Sequence, residues 1–144
     1  MLRTSVAVMS LGICSVVAAQ TVTLADVKAK NAAQLSADDL KQLMPGAKVV
    51  SFTNAGSTRN WENNPNGTFA ASSDSKGSVG GRARPSSGNG TWKVSDKGQY
   101  CVTIQWSGMT SEDWCRYIYK ATDKYYGFGK LEDGAVASEF QFSK

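Results

Sequence analysis

From Lys48 onward the chain reads in twos. Lys48 to Thr53, Gly67 to Ser72, Thr91 to Val94, Gln99 to Trp106, Trp114 to Lys120, Lys124 to Lys130 and Ala135 to Phe142 are short runs rich in β-branched and aromatic residues. Turn signals such as Asn66-Gly67, Asp96-Lys97-Gly98 and Asp133-Gly134 separate them. Seven such strands with mostly tight connections predict an antiparallel meander, curled into a small barrel or a strongly bent sheet. Between Ser72 and Gly90 the run SSDSKGSVGGRARPSSGNG is polar and of low complexity, and predicts a long mobile loop over 72–90.

Before Lys48 the period is helical, so a helical segment at 20–46 is expected ahead of a β domain at 47–144. Ser36 fits an N-cap with Asp39 at the third helical position, Leu35 and Leu40 fit a hydrophobic staple, and Pro45-Gly46 stops the helix. A second turn or two is expected from a Thr23 cap over Leu24 to Ala33, with a thin apolar face.

Residues 1–19 differ from the rest. A positive start at Arg3, an apolar run from Val6 to Val17 and the small residues Ala18-Ala19 make a secretory signal peptide, with Gln20 as the first mature residue. Cys14 lies inside this signal, but Ile13 precedes it where a lipidation site needs a small residue. The run is short for a membrane span. The expected product is therefore periplasmic or secreted, not membrane-spanning, and monomeric.

Cleavage would leave a net charge of +3, with no histidine and two cysteines, Cys101 and Cys115. Scattered charge, with only Lys76, Arg82 and Arg84 near one another, argues against a nucleic-acid partner. An even cysteine pair in an exported domain is read as a disulfide, and the 13 intervening residues give no redox motif. If the two are direct cross-strand neighbours, opposed residue numbers sum to 216. Tyr100, Val102, Ile104 and Trp106 then share the apolar face with Trp114, Arg116 and Ile118, while Tyr117 and Tyr119 lie on the face of the disulfide.

Arg116 among tryptophans has two readings: an anion ligand in a lumen, or a guanidinium stacked on an indole at the end of the core. Tyr117, Tyr119, Tyr125 and Tyr126 could form an exposed aromatic strip for a partner, or be ordinary sheet residues. The absence of histidine excludes Ser-His-Asp and Cys-His nucleophilic sites and histidine-based metal centres. The carboxylate pairs Glu112/Asp113, Glu132/Asp133 and Glu62/Asp74 are the remaining catalytic candidates. Glu62, Asn64, Asn66 and Gly67 imitate the start of a calcium loop, but Ser73 stands where a bidentate Glu is required, so Asn63 to Gly67 is read as a hairpin turn. No metal and no cofactor are expected.

The runs GTWKVSDKGQYCVTIQW, WCRYIYK, KYYGFG and ASEFQFSK resemble a family of small exported proteobacterial proteins known only as a domain of unknown function. The likeness extends from about Leu35 onward and is most recognisable at Trp92, Cys101, Trp114, Cys115 and Arg116. It implies an exported lipocalin-like barrel and no activity. Gly90-Thr91-Trp92 also resembles the Gly-x-Trp of lipocalins, where an arginine packs over that tryptophan, giving Trp92 a structural role. Three functions remain open. The first is a non-catalytic binding module with a small ligand near Trp106, Trp114 and Arg116. The second is a protein-binding inhibitor or envelope-associated factor, and the third a carboxylate-dependent hydrolase. An open lumen would favour the first, a filled barrel with an exposed apolar or basic rim the second, and two convergent buried carboxylates in a cleft the third.

Overall fold

The computed structural model describes residues 20–77 and 84–144, so the expected signal at 1–19 and Arg82 lie outside the described residues. Two short helices, α1 (Leu24–Ala29) and α2 (Ala37–Leu43), flank a two-residue strand, β1 (Ala33–Gln34). Eight longer strands follow: β2 (Lys48–Phe52), β3 (Thr58–Glu62), β4 (Thr68–Ser73), β5 (Ser86–Val94), β6 (Tyr100–Trp106), β7 (Glu112–Ala121), β8 (Lys124–Phe128) and β9 (Ser138–Ser143). From β2 to β9 each strand pairs antiparallel with its sequence neighbours, and β2 pairs with β9, so the order β7-β6-β5-β4-β3-β2-β9-β8 is closed into a ring by the β7–β8 pairing. The result is an eight-stranded antiparallel barrel of lipocalin-like type, which leaves no long unpaired edge. β1 adds to β7 through Ala33↔Lys120 and Gln34↔Tyr119, interrupting the helical segment expected over 20–46.

Both helices start from capping boxes. Thr23 accepts from the Asp26 amide while Asp26 accepts from Thr23, and Ser36 and Asp39 do the same for α2. Gly46, at φ 71°, then takes the left-handed conformation that turns the chain into β2. Leu40 and Met44, both fully buried, carry α2 onto one end of the barrel.

Two strands depart from the sequence reading. β3, TRNWE, was not expected, because Trp61 is its only strongly apolar residue. β5 begins at Ser86 rather than Thr91, so the 72–90 loop shrinks to the residues between Ser73 and Ser86, of which 78–83 lie outside the described residues. Glycine explains the second departure. A Cβ on Gly90 would stand 2.3 Å from the Phe69 ring, and one on Gly88 would stand 3.0 Å from the Trp106 indole. These glycines face inward opposite Phe69 and Ala71, and their missing side chains are the space that the neighbouring rings fill.

The interior is aromatic. Trp61 stacks on Phe69 with centroids 5.3 Å apart, Trp114 lies 5.7 Å from Phe140, and Tyr100 and Tyr125 meet Phe142 edge-on. A buried polar cluster sits at the α2 end: Trp61 Nε1 and Tyr100 Oη both donate to Asn63 Oδ1, at 3.1 and 2.9 Å. Burial raises the Tyr100 phenol pKa well above its ordinary value, so it is a neutral donor.

A second, outer cluster corrects the expected exposed tyrosine strip. Tyr119 and Tyr126 are cross-strand partners and are buried with Phe128 under Leu24 and Val27 of α1. Tyr125 faces inward, against Phe142. The thin apolar face of α1 is enough because it has only these rings to cover.

Candidate functional site at the barrel mouth

Cys101 and Cys115 are bonded, and β6 and β7 run in the register that sums to 216: Tyr100↔Arg116, Cys101↔Cys115, Val102↔Trp114, Ile104↔Glu112. Strand alternation therefore sends Glu112, Trp114, Arg116 and Ile118 inward from β7, beside Val102, Ile104 and Trp106 of β6. Glu112 and Trp106 lie toward the end of the barrel opposite α2, where β3 contributes Arg59.

At this mouth two cations and one anion meet two indoles. Arg59 pairs with Glu112, their side chains 21% and 22% exposed. The Arg59 guanidinium lies 5.4 Å from the Trp106 ring centroid, and that of Arg116 lies 5.5 Å from Trp114. Arg116 Nη1 donates to the Cys115 carbonyl at 3.2 Å. Burial lowers the Arg116 pKa, and the nearby Glu112 charge partly offsets this. Two buried donors, Arg59 Nε and Trp106 Nε1, have no hydrogen-bond acceptor among the described residues.

A cavity of about 280 Å³ opens here, lined by Ser51, Arg59, Glu112, Trp114, Arg116 and Phe140 together with the Phe52–Asn54 turn and Ser138. Its floor is the packed aromatic interior, so the hollow is confined to the mouth. Gly127 keeps Arg116 in place: a Cβ there would stand 2.6 Å from the Phe140 ring and 3.1 Å from the Arg116 Cβ.

Of the expected site residues, Trp114 and Arg116 line the cavity directly, and Trp106 reaches it through Arg59. Trp92 is half-buried away from it, its Nε1 donating to the Asn64 carbonyl at 2.8 Å. Neither arginine at the mouth stacks on Trp92, unlike the lipocalin arrangement. Arg59 and Glu112's role opposite it were missed. Alternation through Thr58–Glu62 carries the signal, because it puts Arg59 on the same face as Trp61.

The carboxylate pairs do not converge. Glu112 faces the mouth, whereas Asp113 is on the outer face and accepts from Thr103 Oγ1 at 3.1 Å. Glu62 and Asp74 lie at opposite ends of the barrel, and Glu132 and Asp133 are both exposed. Among the described residues no group of three or more His, Cys, Asp or Glu side chains is placed to hold a metal, and no helix is long and apolar enough to cross a membrane.

The sequence model of a family described as "Protein of unknown function (DUF995)" matches residues 9–116. The matched span runs through Arg59, Trp106, the disulfide, Glu112 and Trp114 and stops at Arg116, leaving out β8 and β9. No curated protein and no solved structure matches the chain.

Proposed function

The chain belongs to this family of unknown function, and with no activity to inherit from it we propose, from the geometry of the mouth, a non-catalytic exported module that binds a small ligand there. The observation that carries the reading is the convergence of Arg59, Glu112, Trp114 and Arg116 around one concave space of about 280 Å³. Small-molecule sites combine apolar walls with a few convergent polar groups, and perturbed ionisable residues mark them. Trp114 and Phe140 are such walls, and the desolvated Arg116 is such a residue. The disulfide and the signal-like N-terminus support a periplasmic or secreted location.

The filled interior favours a second reading, an inhibitor or envelope-associated factor that binds a protein. Thermal melting of the mature protein in deproteinised small-molecule extract of its host separates the two. The small-ligand reading predicts a raised Tm that Ser138→Phe, which fills the mouth, abolishes. No shift in the unsubstituted protein would leave the protein-partner reading.

A further inference from the structure

The mouth holds more positive than negative charge, and its donors outnumber its acceptors. Arg59 and Arg116 face a single carboxylate, Glu112, so the site carries a net charge of +1. Among the described residues Arg116 forms no ion pair, Glu112 being taken by Arg59, and its one hydrogen bond goes to the Cys115 carbonyl. A guanidinium has five N–H donors, so most of this side chain's capacity is unspent. Arg59 Nε and the Nε1 of Trp106, a residue only 7% exposed, are buried without acceptors among the described residues. An unpaired buried donor carries a desolvation cost that an incoming acceptor relieves.

The walls restrict the acceptor further. Trp114 and Phe140 make one side of the cavity apolar, while Ser51 and Ser138 add small hydroxyl-bearing positions. A dry cavity of about 150 Å³ suffices for a benzene ring, so the space admits a ring-sized body with a charged head.

We infer that the mouth takes a small organic monoanion, a carboxylate whose head lies between Arg116 and Arg59 and whose apolar body rests against Trp114 and Phe140. This inference rests on the small-ligand reading above and names its chemical class. A planar carboxylate matches the guanidinium fork in two-bond geometry, which a spherical halide does not. Glu112 already occupies part of Arg59 and so acts as an internal competitor. A dianion would meet its repulsion, whereas a monoanion is matched by the charge left over. Burial, which lowers the Arg116 pKa, also deepens the gain from a counter-ion.

The test is a nuclear magnetic resonance titration of the isotopically labelled mature protein with benzoate and, separately, with its neutral isostere benzamide. The readouts are the indole N–H signals of Trp106 and Trp114 and the Nε–H signals of Arg59 and Arg116. Benzoate should move these signals and bind roughly tenfold more tightly than benzamide, the difference expected of a charge-assisted hydrogen bond. Arg116→Gln should bring benzoate down to the benzamide level, and Glu112→Gln should tighten benzoate by removing the competitor. If Arg116→Gln does not fold, Glu112→Gln and the two-compound comparison still decide. Equal affinity for both compounds overturns the anion class and leaves the small-ligand reading standing. Unmoved signals with both compounds overturn the anion class and the mouth site together.

Discussion

Single residues set the hollow and filled parts of this barrel. Gly90 is empty space that Phe69 occupies, and any side chain there meets the ring at 2.3 Å and the Thr103 carbonyl at 2.5 Å. Gly90→Ala should therefore destabilise the protein by about 1–3 kcal/mol, the usual range for overpacking, read as a lower urea midpoint at unchanged slope. Asn63 is the polar counterpart. Its side-chain carbonyl serves two buried donors, Trp61 Nε1 and Tyr100 Oη, so Asn63→Ala should cost roughly 2 kcal/mol through the donor left unpaired. A loss under a few tenths would mean that water or Met44 replaces it. Residues of this kind were the least legible in the sequence. Asn63 reads as a turn residue and Gly90 as part of a flexible run, because their roles depend on partners 37 and 21 positions away, Tyr100 and Phe69.

Among the elements, those with local rules were the most legible. The capping boxes at Thr23 and Ser36, the Asn66-Gly67 turn and the β6–β7 register follow from neighbours in sequence or from one covalent bond. β3 and the first half of β5 do not, since their inward faces are built from Arg59, Gly88 and Gly90 rather than from an apolar alternation. The disulfide joins two antiparallel strands across a separation of 14 residues. Cys101→Ser with Cys115→Ser should lower stability by roughly 3 kcal/mol in the chain-entropy account, checked by chemical denaturation with and without reductant. The helix starts give a pH signature. Hydrogen bonds from Thr23 and Ser36 hold the Asp26 and Asp39 pKa values below the ordinary aspartate range. Because the folded values are depressed, their stabilisation is present above the unfolded aspartate value, about 3.9, and is lost as pH falls through the folded values. Asp39→Asn should thus lower Tm near neutrality, and the gap to the unsubstituted protein should close in acid. A gap independent of pH would contradict the ionised cap.

For the whole molecule, closure and filling go together. Eight strands make a ring just wide enough for side chains to fill, and Trp61, Phe69, Tyr100, Trp114 and Phe140 fill it. The sequence supports the barrel class and the inward set of β6 and β7. It gives no sign that α1 would cover Tyr119 and Tyr126, or that Arg59 would meet Glu112 across the mouth. Both are encounters between distant segments that only the closed ring produces. Closure at one end by α2 and Asn63 leaves the opposite end, with its two arginines, as the end at which we propose a ligand binds.

The central claim is that a small molecule occupies that mouth. Its most direct test is intact mass spectrometry of the protein purified gently from its native host, first under native conditions and then denatured. The account predicts a mass excess that disappears on denaturation and is absent from Ser138→Phe. Identical native and denatured masses in the unsubstituted protein would contradict it.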